Sequence, residues 1–247
     1  CELVKGGSCW LLGGTGAMGQ MHTQLAVDNP GGPARILVTD LDDTRIDAMV
    51  ELLGPKIKAR GIEFKTLNPG SFDTAAEFLA AVRAFAPEGF DDIVMLVPVA
   101  PVVSSAVPFL GADGVMNIFA GIPAGKEGVL DVAAIVNTGA RYIGSSGSRT
   151  AHLRHTLEMA ESGRLNPATA LAAVGGMRSL WEGISGVAEA RFPGKTVILP
   201  SCEDMPLVPV DALGSLDPAI AETVGDDGLY SLATEDAIMA RYGKKME

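Results

Sequence analysis

The stretch from Ser8 to Gln20 constrains this chain most. An apolar run, Cys9 to Leu12, meets a glycine cluster that leads directly into a helical pattern. Gly14, Gly16 and Gly19 stand at the G-x-G-x-x-G spacing. Between a strand and a helix each glycine does something mechanical. The first lets the backbone turn sharply, the second lets it approach a pyrophosphate, and the third lets helix and strand press together. The start of the helix then offers unpaired N–H groups, here those of Ala17 and Met18, and a partial positive charge. In a chain with 30 glycines the spacing alone is a weak signal, so the surrounding pattern must decide.

That pattern is an alternation. A helix expected from Gly16 to Asp28 ends at Asn29-Pro30-Gly31, and a short apolar strand, Arg35 to Thr39, ends in Asp40. Asp40 lies 21 residues past Gly19, near the spacing at which a carboxylate accepts hydrogen bonds from an adenosine ribose. Capping the next helix falls instead to Asp43 or Thr44. That helix spans Thr44 to Arg60 with Ile46, Met49, Val50 and Leu53 on one face, and Pro55 is expected to disturb its last turns. A strand at Glu63 to Leu67, a turn at Asn68 to Gly70 and a helix from Thr74 to Ala86 follow. Then come a strand at Asp92 to Val97, a break at Pro98 to Pro101 and a short helix at Ser104 to Leu110. Strands at Gly114 to Phe119 and Arg141 to Ser145 complete the series.

Near-continuous apolar strands separated by helices predict a six-stranded parallel sheet covered on both faces, an α/β fold of the doubly wound Rossmann type. Ligands in such folds bind beyond the carboxyl ends of the strands. The expected cofactor rim is therefore Gly14, Gly16, Ala17, Met18, Gly19, Asp40, Asn68, Val97, Pro98, Val99, Ala120, Gly121, Ile122, Ser145, Ser146 and Gly147. After residue 148 the rhythm changes. The expected organisation is a dinucleotide-binding domain over 1–148, a helix–strand annexe over 149–200, and an irregular tail over 201–247 with a terminal helix from Thr234 to Tyr242.

Bulk properties narrow the partners. A net charge of −11 argues against nonspecific nucleic-acid binding, which requires a basic face. Cys1, Cys9 and Cys202 are too few and too scattered for a disulfide framework or a zinc site. No apolar run reaches the ~18–20 residues of a membrane span, and a cytoplasmic setting is expected.

Several joints together resemble the medium-chain, zinc-type alcohol and polyol dehydrogenase family, over roughly residues 5 to 200. Val38-Thr-Asp40 looks like its second-strand acid, and Leu67-Asn68-Pro69 like its adenine-side turn. Asp92 to Phe119 looks like its fourth and fifth strands. Arg141 to Ser145 resembles the strand across which two subunits join sheets. Leu157 to Leu199 resembles its closing segment, with Gly-Arg-Leu-Asn-Pro, Trp181-Glu-Gly-Ile and Gly194-Lys-Thr-Val-Ile in order. The long tail looks most like sorbitol-dehydrogenase-like enzymes and sugar-phosphate reductases. The resemblance implies NAD as cofactor, with NADP also open because Arg45 stands near Asp40. It also implies a homo-oligomer, and a catalytic zinc held by a domain preceding the nucleotide-binding one. The G-H-E motif and cysteine quartet of that domain are not in these residues, so no catalytic or metal-ligating residue is assigned here. Residues 149–200 and the tail are expected to carry apolar surface facing the missing domain.

Other constellations are weaker. His152 and His155 share a helix face but have no third ligand nearby, and a solvated face with Arg149 and Arg154 is the better reading. His22 suits packing or surface. Ser145 to Ser148 has no acid–base partner to make a nucleophile, and Arg149 suits an anionic substrate as well as plain solvation. The glycine pattern also suits short-chain reductases, but no tyrosine is followed four residues later by the lysine their proton shuttle needs. Methyltransferases share the glycine turn and second-strand acid. The preferred function is the NAD(P)-binding part of a dehydrogenase acting on an alcohol, polyol or sugar phosphate. The alternative is a stand-alone dinucleotide-binding sensor or subunit without catalysis.

Overall fold

The computed structural model describes residues 3–144, 147–189, 191–225 and 228–244. Its elements in chain order begin β1 (Ser8–Leu12), α1 (Ala17–Asp28), β2 (Arg35–Thr39), α2 (Asp43–Arg60), β3 (Glu63–Leu67) and α3 (Ala75–Phe85). They continue with β4 (Phe90–Met95), α4 (Ala100–Ala106), β5 (Leu110–Ile118), α5 (Val132–Asn137), β6 (Arg141–Gly144) and α6 (Thr150–Glu161). The sheet order is β3-β2-β1-β4-β5-β6, every pair parallel. This is the doubly wound order in which the crossover direction reverses between β1 and β4. The expected fold class is the one observed.

All five residues of β1 are buried, and their alternation divides the interior. Trp10 and Leu12 join Leu37, Val82, Phe90, Met95 and Met116 on one face of the sheet. Cys9 and Leu11 join Ile36, Val38, Met49, Leu53 and Ile62 on the other. Trp10 anchors its side with ring contacts to Phe90 and Phe109 at 5.5 and 5.6 Å, and its indole N–H donates to Thr39 Oγ1 at 3.0 Å. Burial on both faces explains why these strands read as apolar runs without polar alternation.

Some local expectations need correction. Helix α2 passes through Pro55 unbroken to Arg60 and closes on Gly61 in the left-handed region, φ 63°. Pro55 and Glu51, whose carbonyl the proline leaves without a helical partner, are both exposed, so water can take the lost bond. The α2 cap is Asp42, which accepts from the Arg45 N–H at 3.1 Å, and not Asp43 or Thr44. Strand β4 lies two residues earlier than expected. Helix α4 starts at Ala100, inside the expected proline break, because Pro101 falls in its first turn, where no helical N–H is needed.

The chain divides into two compact units, Cys1–Leu165 and Asn166–Glu247. The second contains β7 (Leu171–Gly176), α7 (Leu180–Ala188), β8 (Lys195–Leu199), β9 (Val208–Pro209), α8 (Pro218–Ala221) and α9 (Leu232–Tyr242). Its sheet has the order β8-β7-β9, parallel on one side of β7 and antiparallel on the other. The stretch after Pro200, expected to be irregular, supplies strand β9 and core residues Val208, Val210, Leu213 and Ile220. Its prolines and glycines mask four apolar residues that the sheet buries. Helix α7 buries Gly183 and Gly186 and leaves Leu180, Trp181, Ile184 and Val187 exposed, Trp181 at 76%. Apolar surface therefore exists where it was expected.

Candidate functional site: the glycine turn and its rim

The glycine turn sits where β1 ends and α1 begins, and its steric demands can be separated residue by residue. The left-handed residue is Gly13, φ +76°, one position before the first glycine of the motif. Gly14 was expected to make the sharp turn, yet its lack of a side chain answers to packing. A Cβ there would lie 2.5 Å from Val38 Cγ1. A Cβ on Gly19 would lie 2.2 Å from the Gly13 carbonyl oxygen and 2.5 Å from the Gly14 carbonyl carbon, so helix and turn touch backbone to backbone. Gly16 differs from both. Its extended backbone, φ −66° and ψ 174°, suits any residue, and a Cβ would have Gly13 O as its nearest contact at 3.9 Å. The protein itself makes no demand for glycine at 16, which leaves open space beside the first turn of α1. Gly16 is also the α1 N-cap and has no side chain to occupy the amides of that turn, Ala17 and Met18 included.

Backbone hydrogen bonds hold the turn to the sheet. The Gly13 and Gly14 N–H groups both donate to Thr39 O, at 2.7 and 3.4 Å. Asp40, half-buried at the tip of β2, accepts from the Thr15 N–H at Oδ2, 3.1 Å, and from the Leu41 N–H at Oδ1, 2.8 Å. From the other side, Thr23 Oγ1 in α1 donates to Gly14 O at 3.0 Å. The Thr15 hydroxyl is buried and has no hydrogen-bond partner among the described residues. Thr15 and Thr23 did not stand out in the sequence, since their roles depend on contacts across the turn.

The other described residues of the expected rim lie at the same carboxyl end of the sheet. Val97 follows β4 and packs against the turn: a Cβ on Gly13 would lie 2.7 Å from Val97 Cγ2. Pro98 and Val99 continue into α4 and are exposed. The Ala120 N–H donates to Met95 O at 3.0 Å and the Ile122 N–H to Ala120 O, which brings the β5 exit beside that of β4; Gly121 is exposed. Asn68, after β3, is a bracket for the neighbouring loop. Its amide nitrogen donates to Leu41 O and Asp43 Oδ1, and its oxygen accepts from the Gly70 N–H. Gly147 has φ +76° with open space around it. Ser145 and Ser146 lie outside the described residues.

Polar side chains near the rim have partners. Arg45 pairs with Asp42 at 3.2 Å. His22 Nδ1 donates to Met18 O at 2.8 Å, and its ring meets Phe119 edge-on, with centroids 4.6 Å apart. That is the packing role expected of it. His152 Nδ1 accepts from the Arg149 N–H at 3.3 Å at the start of α6. The turn fits a dinucleotide phosphate in three respects: open space at Gly16, uncapped helix amides, and a buried Thr15 hydroxyl with no partner among the described residues.

No family model matches the sequence. Mannitol-1-phosphate 5-dehydrogenase of Aliivibrio fischeri is 31% identical over 227 residues, covering 89% of this chain and 52% of that protein. L-sorbose 1-phosphate reductase of Klebsiella pneumoniae is 24% identical over 243 residues, 95% of this chain and 55% of that protein. The chain thus spans about half the length of the curated relatives it matches. Among solved structures, an alcohol dehydrogenase zinc-binding domain protein from Burkholderia ambifaria superposes with a TM-score of 0.64 at 18% identity, covering 80% of this chain and 50% of that one. A protein from Sinorhizobium meliloti 1021, described as a zinc-binding dehydrogenase and bound to NADP, gives 0.60 at 18% identity, over 81% and 53%. These structural likenesses establish the fold. The curated relatives are a polyol-phosphate dehydrogenase and a sugar-phosphate reductase, and the solved structures include a zinc-binding alcohol dehydrogenase, so this chain is similar to proteins of the kind that the motifs resemble.

Proposed function

We propose that this chain binds the nicotinamide dinucleotide of a dehydrogenase that moves a hydride between nicotinamide and an alcohol, polyol or sugar phosphate. The observation that carries this reading is the glycine turn. Gly14 and Gly19 are glycine because the protein's own atoms leave no room, whereas Gly16 is glycine beside open space at uncapped helix amides. The Ala17 and Met18 N–H groups receive the pyrophosphate. The Asp40 carboxylate takes the adenosine ribose hydroxyls, which favours NAD, because a 2′-phosphate would sit against that negative charge. Arg45 is held by Asp42 and gives such a phosphate less relief than a free arginine would. The exits of β4 and β5, with Val97 to Val99 and Ala120 to Ile122, flank the nicotinamide half, and contact with that half is the role the resemblance implies for Ser145, Ser146 and Gly147.

The dinucleotide, when bound, would take or give the hydride; these residues bind it, orient it and shield one side of it. Polarising the substrate oxygen belongs to a zinc-bearing domain, in keeping with relatives about twice this length. The relatives' names make a phosphorylated polyol or ketose the first substrates to try. Calorimetry with NAD, NADP and S-adenosylmethionine tests the reading. NAD should bind, and Asp40→Ala should weaken it at least tenfold. Binding of S-adenosylmethionine alone, or of none of the three, would refute the proposal.

A further inference from the structure

The two bonds that meet at residues 14 and 15 act on one peptide plane. Gly14 O accepts from Thr23 Oγ1 at 3.0 Å, and the N–H of the same peptide, on Thr15, donates to Asp40 Oδ2 at 3.1 Å. The plane is therefore held from α1 at one end and from the tip of β2 at the other. Peptide planarity makes the two ends turn together. A helical threonine commonly bonds the carbonyl one turn back in its own helix; Thr23 instead reaches nine residues back to the turn. Gly14, Thr15 and Thr23 are buried, Thr15 and Thr23 completely, so the peptide's own C=O and N–H are shielded from water, while the Asp40 carboxylate is half-buried.

We infer that Thr23 is a positioning residue for the Asp40 carboxylate, acting through the Gly14–Thr15 peptide, and so sets how the site discriminates between nicotinamide dinucleotides. This rests on the dinucleotide reading above. A carboxylate offers about four acceptor directions. Two are taken, Oδ2 by the Thr15 N–H and Oδ1 by the Leu41 N–H at 2.8 Å. The remaining two, one per oxygen, match the paired hydroxyls of an unphosphorylated ribose, and their aim depends on the rotation of the carboxylate. Without the Thr23 hydroxyl, the Gly14 carbonyl is buried and unpaired, and the plane turns to find a partner. The Thr15 N–H turns with it and the carboxylate loses its fixed aim. Thr23 itself stays buried and touches no ligand.

The test compares Thr23→Val, which keeps the shape and removes the hydroxyl, with Thr23→Ser, which keeps the hydroxyl. NAD and NADP are titrated into each, and hydrogen exchange is followed at the Thr15 amide. Thr23→Val should lose roughly five- to tenfold in NAD affinity with a smaller change for NADP, so that the NAD:NADP ratio falls. Thr23→Ser should stay within about twofold of the parent. A merely structural threonine would lower the melting temperature without moving the ratio. An unchanged ratio in Thr23→Val, or a fallen ratio in Thr23→Ser, would overturn the inference. Should Thr23→Val not fold, the Thr15 amide of the parent decides: slow exchange supports the clamp, and exchange at the rate of an exposed loop overturns it. A parent that binds neither dinucleotide would refute the functional reading itself, an outcome distinct from any difference between the two variants.

Discussion

Alanine at Gly16 and alanine at Gly19 should have opposite consequences, although both remove a motif glycine. At Gly19 the new methyl would sit 2.2–2.7 Å from three backbone atoms of Gly13 and Gly14, and backbone cannot rotate aside as a side chain can. Overpacking of this kind costs about 1–3 kcal/mol, and more when backbone must move. With a melting shift of about 2–4 °C per kcal/mol for a unit of this size, Gly19→Ala should melt roughly 2–12 °C lower. At Gly16 the nearest atom is 3.9 Å away and the backbone is already extended. Alanine is a poorer N-cap than glycine, by about 0.5–1 kcal/mol, and gains about 0.4–1 kcal/mol from a less flexible unfolded chain. The net change in melting temperature should be near zero.

Binding should reverse the ranking. The Gly16 methyl occupies the open space in front of the α1 amides, and a clash of about 1–3 kcal/mol there corresponds to a loss of roughly 5- to 150-fold in NAD affinity. Differential scanning fluorimetry without ligand and calorimetry with NAD separate the two quantities. Parent-like NAD affinity in Gly16→Ala would refute the steric assignment, and so would a melting loss in Gly16→Ala as large as that of Gly19→Ala.

Three further predictions concern the scaffold. Burial, aided by the Asp91 charge, raises the Asp92 pKa, while the bond accepted from the Val4 N–H opposes the rise. A raised folded-state carboxyl pKa means that ionisation costs stability above that pKa, and the cost disappears as pH falls towards the unfolded value near 3.9. The parent should therefore gain stability relative to Asp92→Asn between pH 7 and about pH 4, read as urea midpoints; a pH-independent difference would contradict the assigned shift. Trp10→Ala, which deletes a fully buried ring and its bond to Thr39, should cost about 3–5 kcal/mol in chemical denaturation; a loss under about 1 kcal/mol would show that Trp10 is not the anchor of that core. Pro55→Ala should stabilise α2 by about 1–3 kcal/mol, since an exposed proline inside an unbroken helix forfeits a backbone bond; destabilisation would mean that Pro55 has a packing role in the folded chain.

Local pattern was enough to dictate the sheet and the place of the glycine turn in it. Apolar runs such as Cys9–Leu12 and Arg35–Thr39 can be satisfied only with both faces covered, and a strand–glycine–helix joint can be built in few ways, so the fold class and the position of the turn were legible from neighbouring residues. Strand β3 carries the expected limits because turn residues bound it on both sides. Contacts between distant residues decided the rest. That Gly13 takes the left-handed turn, and that Gly14 is glycine because of Val38, depends on how closely β2 approaches β1. That Pro55 leaves α2 intact depends on Glu51 facing water. The tail after Pro200 reads as irregular because a two-residue strand has no periodicity, yet Val208 and Leu213 find a core beside β7. Thr23 looks like any helical threonine until the turn folds back over it. Its partner lies nine residues away, and only the folded backbone brings them together.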